Sequence, residues 1–556
     1  MRNACKLREV RSKARDLSAD RRLNRGVSTH CLSRREWIGA VSLATVAASP
    51  LSALAGGRRT ARRFHVCLSP VIVESDPDLL ATVRQAGVEV VWLAGYFYGH
   101  RPYADDLIRR ARARLERAGL ESELITVPLG HPGDSLGARD GEFPLTPPRH
   151  WQTGQRPDGP SYAGTSLHAP ATEENAAALR RLRTFGFRRA FVDDDFRLAR
   201  SPGEIGGCFC AGHRERFLRL SGCGPGGWAE LLEDVRDRRM TRLLRTWLDF
   251  TCDELTASFR AQDRAFGGDL GIMAMYLGAE KAGIRLGDYR RALFRVGELM
   301  FDDGSFAPVK GKTDELFSAL FHRRFASPDR AFSETTAYPA NRLSASNMGA
   351  KLVISTLADV RQTMFMSGLT PFPREHWAVL GPAMRGQGRL HEEVAGHRPE
   401  GPFKHFWGEA QRLVGDDQPF SLWLAAGVPF EVVNKPPSDG WTFLSDFDAR
   451  ECVGRGEAGR GTRLVCRASV SRRPDGAEVV AESLSELFAF KNRIRGALGR
   501  VPHVAEAEPA VCAWYPTAGK VVVWNLAEEP RTLTLVHGAR RREVRLGGLE
   551  AASMDV

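Results

Sequence analysis

Clusters of acidic residues at the ends of apolar stretches are the features of this sequence with the clearest chemistry. They are Asp193-Asp194-Asp195, Asp302-Asp303 and the single Glu334. The first cluster directly follows the apolar residues 190–192, and Glu334 comes soon after the apolar pair 331–332. Adjacent carboxylates repel one another, so a fold that keeps three in a row must give them partners or a task. Side chains alternate along a strand, which points Asp193 and Asp195 to one face and Asp194 to the other.

Paired carboxylates of this kind are typical of glycoside hydrolysis. One carboxyl group protonates the leaving oxygen, and a second attacks the sugar or activates water. The chemistry needs no cofactor, so we expect none for catalysis. The substrate would be a glycoside or an oligosaccharide.

Aromatic and polar residues near the same strand ends are candidates for binding a sugar. Trp92 and Tyr96 lie at the end of the second predicted strand, and Tyr338 follows the seventh. The apolar C–H face of a sugar packs on such rings. Together with the neighbouring polar groups, the candidate binding residues are Trp92, Tyr96, His131, Asp193, Asp194, Arg197, Asp302, Asp303 and Tyr338.

The elements that must position these residues alternate between strand-like and helix-like stretches. Eight short apolar stretches are predicted as strands, at 65–70, 88–97, 123–130, 187–196, 269–278, 297–306, 330–339 and 362–368. Most are followed by an amphipathic stretch, which predicts a (β/α)8 TIM barrel with insertions over residues 60–400. In such barrels the active site lies at the carboxyl ends of the strands. A doubly wound sheet is the alternative, but the chain has neither a GxGxxG nor a Walker motif.

The pattern changes after residue 400. Residues 401–508 predict a small α/β domain, and short alternating strands over 509–556 predict a C-terminal antiparallel β domain. No stretch after residue 55 reaches the length of a membrane span. The sequence is compatible with a homo-oligomer of this chain.

Residues 1–55 have the layout of a signal peptide. The twin arginine Arg34-Arg35 precedes a mildly apolar stretch, and Ala53-Leu54-Ala55 offers a small-x-small cleavage site. This indicates a Tat (twin-arginine) signal and a mature protein in the periplasm or outside the cell. The segment holds eleven basic and four acidic residues, so it carries +7 of the net charge of +12. The basic and acidic residues after residue 55 are nearly equal in number, which argues against a nucleic-acid partner.

A cysteine pair follows the acidic cluster. Cys208, Cys210 and His213 have a C-x-C-x-x-H spacing. These residues could supply three ligands to a structural zinc, with a fourth from elsewhere, such as Cys223. The alternative is two thiols, free or disulfide-linked, beside a surface histidine.

The stretch FVDDDFRLARSPGEIGGCFCAGHRERF (191–217) resembles the fourth-strand region of glycoside hydrolase family 42, the β-galactosidases of clan A. That family has Asn-Glu where Asp194-Asp195 stand here, followed by a cysteine cluster. Residues 331–366 resemble its seventh and eighth strands, and the later segments resemble its α/β and β domains. The resemblance implies that Glu334 is the nucleophile and Asp195 the acid/base. Asp195 is one methylene shorter than the family's Glu, so β-galactosidase activity does not follow.

Two other functions compete with a glycosidase. One is a metal-dependent hydrolase that uses Asp193, Asp195 and Asp302 with a histidine such as His100 or His131, although the sequence lacks the usual H-x-H and HExxH patterns. The other is a non-catalytic carbohydrate-binding protein, in which the change to Asp195 marks lost activity.

Overall fold

A computed structural model describes most of the chain after residue 60. The described residues are 61–129, 139–140, 143–144, 147–165, 167–193, 196–199, 203–274, 277–296, 300–455 and 462–556. The predicted signal segment and the candidate residues His131, Asp194 and Asp195 lie outside them, so their predictions stand as made.

Eight parallel strands close into a barrel, as the sequence predicts. They are β1 (Arg63–Leu68), β2 (Val90–Phe97), β3 (Glu121–Val127), β4 (Arg189–Val192), β5 (Asp269–Ala274), β6 (Leu293–Val296), β7 (Ala331–Thr336) and β8 (Gln362–Met366). Each strand pairs in parallel with the next, and β8 pairs with β1. All eight residues of β2 are buried, as expected for a strand covered on both faces. The doubly wound alternative is therefore wrong.

Helices cover the outside of the barrel. They are α1 (Pro70–Ser75), α2 (Pro77–Ala86), α3 (Asp105–Arg117), α4 (Ala171–Arg183), α5 (Ala211–Ser221), α6 (Gly226–Asp237), α7 (Arg242–Phe266), α8 (Asp303–Phe306), α9 (Val309–His322), α10 (Ala345–Leu357) and α11 (His376–Glu392). Local sequence sets their ends. The Asp76 side chain accepts the Leu79 N–H at the start of α2, and Ser344 accepts the Asn347 N–H at the start of α10.

The sixth strand lies earlier in the chain than predicted. The sequence indicated residues 297–306, but β6 is Leu293–Val296, and residues 303–306 form α8. The cause is Arg295, a charged residue in the middle of the strand, which breaks the apolar pattern used to find it. Its side chain is fully buried inside the barrel.

An aromatic layer fills the barrel interior. Trp92 on β2 packs against Phe191 on β4 and Phe332 on β7, with ring centroids 4.8 and 5.9 Å apart respectively. His65 on β1 accepts the Trp92 indole N–H at 3.0 Å. Gly271 on β5 makes room for this layer, because a Cβ there would lie 2.3 Å from a Phe191 ring carbon. Residues two positions further along β4 and β7 therefore point into the barrel above the rings.

A five-stranded parallel sheet follows the barrel. Its strands are β9 (Phe403–Phe406), β10 (Phe430–Val433), β11 (Trp441–Leu444), β12 (Arg463–Arg467) and β13 (Glu478–Val480), in the order β10-β9-β11-β12-β13. Its helices are α12 (Glu409–Val414), α13 (Asp446–Arg455) and α14 (Leu484–Leu498). This is the α/β arrangement expected after residue 400.

Two three-stranded sheets end the chain. The strands are β14 (His503–Val504), β15 (Ala510–Tyr515), β16 (Lys520–Asn525), β17 (Arg531–His537), β18 (Arg540–Leu546) and β19 (Ala551–Asp555). Their pairings are antiparallel, as the alternating pattern predicted. Across the described residues, the helices are too short or too polar to cross a bilayer.

A buried ion pair joins the helices after β6 and β7. Lys351 Nζ on α10 donates to Glu315 Oε1 on α9 at 2.7 Å, and both side chains are essentially inaccessible to solvent. Glu315 Oε1 also accepts the Met300 N–H at 2.8 Å, which ties the backbone at Met300 to α9. Burial raises the pKa of Glu315, and the Lys351 ammonium opposes that rise.

We expect Lys351→Met to lower the free energy of unfolding by about 3–5 kcal/mol, because it leaves the Glu315 carboxylate buried without a counter-ion. Adding Glu315→Gln should restore most of the loss, since the amide oxygen can still accept the Met300 N–H. Arg219→Met is the control, because the exposed Arg219–Glu215 pair on α5 contributes at most about 1 kcal/mol. Equal losses in the single and double variants, measured by denaturant unfolding, would contradict this account.

Candidate active site

Glu334 lies inside the barrel near the carboxyl end of β7. It stands two residues after Phe332 of the aromatic layer, so strand alternation turns its carboxylate inward. The Thr336 hydroxyl donates to Glu334 Oε1. The residue is 3% exposed. The sequence therefore located this acid correctly at a strand end of the barrel.

Asp193 and Glu334 share one buried arginine. Arg295 donates from Nη2 to Asp193 Oδ1, and its Nε lies 3.5 Å from Glu334 Oε2. All three side chains are at least 96% inaccessible to solvent. This charged layer, made of Asp193, Arg295 and Glu334, brings together strands β4, β6 and β7. The layer contains two carboxyl groups and one guanidinium.

Arg295 also contacts two thioethers and an aromatic ring. Its Nη2 lies 2.9 Å from Met273 Sδ on β5, and its Nη1 lies 3.2 Å from Met364 Sδ on β8. Its guanidinium carbon lies 5.7 Å from the centroid of the Phe191 ring. Thioethers and a ring face compensate little for lost hydration, so Asp193 and Glu334 offset much more of the cost of burying this cation than those groups do.

The predicted aromatic binding residues occupy different environments. Trp92 is fully buried in the aromatic layer, so neither face of its ring is open to a substrate. Tyr96 lines a small cavity with residues of α3 and α4, and burial raises its pKa to about 12. Tyr338, two residues after β7, is 59% exposed. Of these three rings, Tyr338 is the one with a surface open to solvent.

Asp302 and Asp303 support the loop after β6. Asp302 caps the short helix α8: it accepts the Ser305 N–H at 2.9 Å and completes a capping box. Asp303 Oδ1 accepts from the Ser344 N–H and from the Asn347 amide, each at 2.8 Å. Both carboxylates are thus used within the fold, and they follow a loop and not a strand. Arg197, by contrast, is buried in the segment after β4.

A second group of polar side chains lies beside the start of α5. His168, Cys208, Cys210 and His213 place one potential ligand atom each within 4.8 Å of one another. Cys210 Sγ lies 3.1 Å from His168 Nε2 and 3.2 Å from His213 Nδ1. A zinc bound by two thiolates and two imidazoles has ligand atoms roughly 3.3–3.8 Å apart. The predicted cysteine–histidine cluster therefore exists, and its donor set fits a tetrahedral zinc.

The surroundings of this cluster affect the protonation of its histidine and cysteine ligands in opposite ways. Burial opposes a charge on His213, but hydrogen bonding to Cys208 and the Glu254 carboxylate outweigh it and raise its pKa to about 10, so zinc would have to displace a proton from this imidazole. Burial likewise opposes the Cys210 thiolate, yet contact with His213 lowers the Cys210 pKa. Thiolates are the form of cysteine that binds metals. His213 Nε2 lies 2.8 Å from Glu254 Oε2, the kind of carboxylate contact that orients a histidine ligand.

Sequence reasoning missed three of these residues. Arg295 was overlooked because an arginine inside a barrel strand breaks the apolar pattern. His168 and Glu254 are 40 or more residues from Cys208 in the sequence, so spacing alone could not connect them. Cys223, named earlier as a fourth ligand, lies in the turn after α5 with its Sγ 3.9 Å from the Ser221 carbonyl oxygen. The fourth member of the cluster is His168.

Comparison with known proteins places the fold. No protein-family model and no curated protein sequence matches the chain. Among solved structures, a cold-adapted β-galactosidase from Rahnella sp. R3 has a TM-score of 0.54 and 11% identity, over 90% of this chain and 99% of that chain. An α-L-fucosidase from Paenibacillus thiaminolyticus has a TM-score of 0.50 and 9% identity, over 88% and 91%.

The family named from the sequence is also among these neighbours. A catalytic mutant of Gan42B, a GH42 β-galactosidase from G. stearothermophilus, has a TM-score of 0.50 and 10% identity, over 89% of this chain and 98% of that chain. The likeness extends over nearly the full length of these enzymes, through the barrel and the domains after it. At such low identity it establishes the fold, a (β/α)8 barrel followed by further domains, and leaves the activity to be argued from the site.

Proposed function

We propose that this chain is a glycoside hydrolase that cleaves a glycosidic bond with Glu334 as the nucleophile and Asp195 as the acid/base. The observation that carries the proposal is the position of Glu334. Its carboxylate points into the barrel near the carboxyl end of β7, beside a buried arginine. The active sites of TIM barrels lie at that end.

The contacts of Glu334 suit a nucleophile. A nucleophilic carboxylate must be ionised, and the Arg295 guanidinium and the Thr336 hydroxyl both favour the charged form. An acid/base residue needs the opposite, a carboxyl group that holds a proton at working pH. Asp195 follows β4 directly in the sequence, next to Asp193 and Asp194, whose negative charges would help it to do so.

The similar barrel enzymes and the exposed Tyr338 ring support a proposal for the substrate class. The similar solved structures are described as β-galactosidases and a fucosidase, which supports a glycoside or oligosaccharide substrate. The exposed Tyr338 ring, close after β7, offers a surface for a sugar face. Family 42-like O-glycosidase activity is the finer form of the proposal.

The contacts of the acidic residues weigh against a metal-dependent hydrolase. That hypothesis required Asp193 and Asp302 as ligands. Asp193 is paired with Arg295, and Asp302 caps α8. Within the described residues, the group suited to a metal is the cysteine–histidine cluster, which is built from other side chains. A non-catalytic sugar-binding protein remains the outcome to be distinguished by experiment.

We expect Glu334→Gln to reduce hydrolysis of 4-nitrophenyl glycosides by several orders of magnitude while substrate binding is largely kept, because the amide cannot form the glycosyl–enzyme bond. Asp195→Asn should lose less on these activated substrates, which need little proton donation, than on oligosaccharides. Steady-state kinetics and calorimetric sugar binding check both results.

Glu123→Gln provides the control. Glu123 is a buried barrel carboxylate on β3 that pairs with Arg189, away from the carboxyl end of its strand. Its loss should affect stability and leave turnover per folded molecule unchanged. Near wild-type turnover in the Glu334 variant would reject the mechanism. Sugar binding without hydrolysis in the wild-type protein would instead favour the non-catalytic alternative.

We further propose that His168, Cys208, Cys210 and His213 hold one structural zinc. Such an ion would join the segment before α4 to the segment before α5, since His168 belongs to the first and Cys208 to the second. Its role would be structural, because four protein ligands leave no open position for a substrate.

Protein purified under reducing conditions should contain about one zinc per chain, by elemental analysis, and chelation should lower its melting temperature. Cys208→Ala or Cys210→Ala should lose the metal, and Glu254→Gln should weaken binding by about 10–100-fold. Cys223→Ser should retain it, because Cys223 lies outside the cluster. Wild-type protein without zinc, or a Cys208–Cys210 disulfide, would remove this proposal.

Export is proposed from the sequence of residues 1–55. Replacing Arg34-Arg35 by Lys-Lys should leave the precursor inside the cell, because the Tat system reads the arginine pair. Fractionation and N-terminal sequencing of the secreted form check both the export and a cut near residue 55. Undiminished export of the Lys-Lys variant would contradict the assignment.

A further inference from the structure

A cleft of about 500 Å³ lies where the five-stranded parallel sheet meets the C-terminal β domain. This volume is in the range of small-molecule sites, about 300–1,000 Å³. The sheet supplies Trp441 at the start of β11, and the β domain supplies Trp514 on β15. The aromatic and charged lining of the cleft includes Glu400, Lys404, Glu431, Asp439, Trp441 and Trp514.

The cleft lies on the side of the barrel opposite the proposed active site. The hydroxyl of Tyr515, next to Trp514, donates to the Leu357 carbonyl at 3.0 Å, and Leu357 is the last residue of α10. The helices of a TIM barrel run back against the strands, so α10 ends beside the amino ends of the strands. The cleft is therefore separate from the mouth at which Glu334 lies.

Backbone contacts hold the walls of the cleft in place. The Glu400 N–H donates to the Trp514 carbonyl at 2.8 Å, and the Trp441 N–H donates to the Pro402 carbonyl at 2.7 Å. Gly440 allows the second contact: its φ is +79°, and a Cβ there would lie 2.4 Å from the Pro402 oxygen. The cleft is thus formed by the fold itself, before any ligand binds.

The two tryptophans offer different contacts. Trp514 is partly exposed, and it packs against the core of the β domain on one side. Trp441 is 5% exposed, and the Arg463 guanidinium carbon lies 5.1 Å from its ring centroid. Its indole Nε1 is buried and has no acceptor among the described residues. A ligand oxygen would relieve the cost of that unpaired donor, while Trp514 would provide a ring surface.

The charges in the cleft select against an anionic ligand. Three carboxylates, from Glu400, Glu431 and Asp439, face two cations, Lys404 and Arg463. Lys404 binds Asp439 and lies 3.5 Å from Glu431. A carboxylate has about four acceptor positions, so those acids can also accept hydroxyl groups. The balance of −1 disfavours phosphates, nucleotides and uronates, and it suits a neutral molecule with many hydroxyl groups.

We propose that this cleft is a second carbohydrate-binding site, which holds a neutral glycan chain away from the barrel. The C–H face of one sugar packs on Trp514, and sugar hydroxyls donate to Glu400 and Asp439. The choice of a sugar rests in part on the proposed function. An enzyme that cleaves a polymer gains effective concentration by holding the same chain at a second site.

The first test measures binding in the Glu334→Gln background, in which the glycan is not cleaved. Native gels that contain soluble galactan, arabinoxylan or mixed-linkage β-glucan should retard this protein in at least one case. Calorimetry with an oligosaccharide of the retarding polymer should then show two sites. Adding Trp514→Ala should weaken the cleft site by roughly 10–30-fold, as expected for loss of a central aromatic contact. Trp514→Phe should keep most of the affinity, because a ring remains.

The acids give a second set of variants that do not disturb the core. Glu400 and Asp439 are both exposed, so their replacement should leave the fold intact. Glu400→Ala and Asp439→Ala should each weaken the cleft site by roughly 3–10-fold, the effect of losing one or two hydrogen bonds. Glu508→Ala is the matched control, because Glu508 is an exposed acid of the same β domain outside the cleft. It should bind like its parent.

The catalytic readout is a ratio of two substrates. With Glu334 intact, Trp514→Ala should lower kcat/KM for the polymer relative to kcat/KM for 4-nitrophenyl glycosides, because the short substrate fills the barrel site alone. An equal change for both substrates would mean that the substitution acts on the barrel and not through a second site.

The remaining outcomes separate the proposals. Retardation by none of the neutral polymers, or by polygalacturonate alone, would overturn the inference, as would unchanged binding in the Trp514, Glu400 and Asp439 variants. A change of molecular mass in those variants, measured by light scattering, would show instead that the cleft is an interface between copies of the chain. A wild-type protein that hydrolyses no glycoside would overturn the proposed function, while the binding experiments would still decide the role of the cleft.

Discussion

The burial of the Arg295 guanidinium is the constraint on which the upper part of the barrel depends. Taking such a cation out of water costs several kcal/mol, which only well-placed opposite charges can offset. Asp193 from β4 and Glu334 from β7 provide those charges. Strands β4, β6 and β7 must therefore be in the register that brings these three residues to one level. A slip of one residue in any of them would turn its charged side chain out toward the helices.

The aromatic layer below provides the dry environment in which these charges act. Trp92, Phe191 and Phe332 close the barrel interior from beneath, and each of their rings contacts another at its edge or at a tilt. A low-dielectric floor strengthens the attraction between Arg295 and its partners and also makes any unpaired charge expensive. The packing of the core therefore affects how strongly Arg295 is held by its two acidic partners. This is why Trp92, expected from the sequence to bind sugar, serves the site from inside the core.

Strands were predictable from the sequence where apolar residues follow one another without interruption. They were less predictable where a charged residue interrupts the apolar pattern. The barrel, the parallel sheet after it and the inward position of Glu334 all follow from alternation and from turn residues. The sixth strand was misplaced because Arg295 interrupts a four-residue run and the apolar residues after it are more conspicuous. Asp302 and Asp303 looked like strand-end acids, yet the same residue type is also preferred at helix starts, where Asp302 is found. His168 could not be assigned because tertiary structure alone brings it to Cys210.

The segment between β4 and α5 is held at both ends, which connects the two polar groups of this barrel. At its start, Asp193 is fixed by Arg295 and by its N–H bond to the Thr126 carbonyl at 2.8 Å. At its end, Cys210 lies against His168 and His213. Between them, the Leu198 N–H donates to the Ala282 carbonyl and the Gly206 N–H to the Lys281 carbonyl, at 3.0 and 2.7 Å. Asp195 belongs to this segment by sequence, so an acid that is one methylene shorter than glutamate would be carried by a loop with anchored ends. Under the proposed function, a shorter acid/base side chain would depend more on where its backbone is held, so the anchors of this loop would matter more than they would for a longer acid.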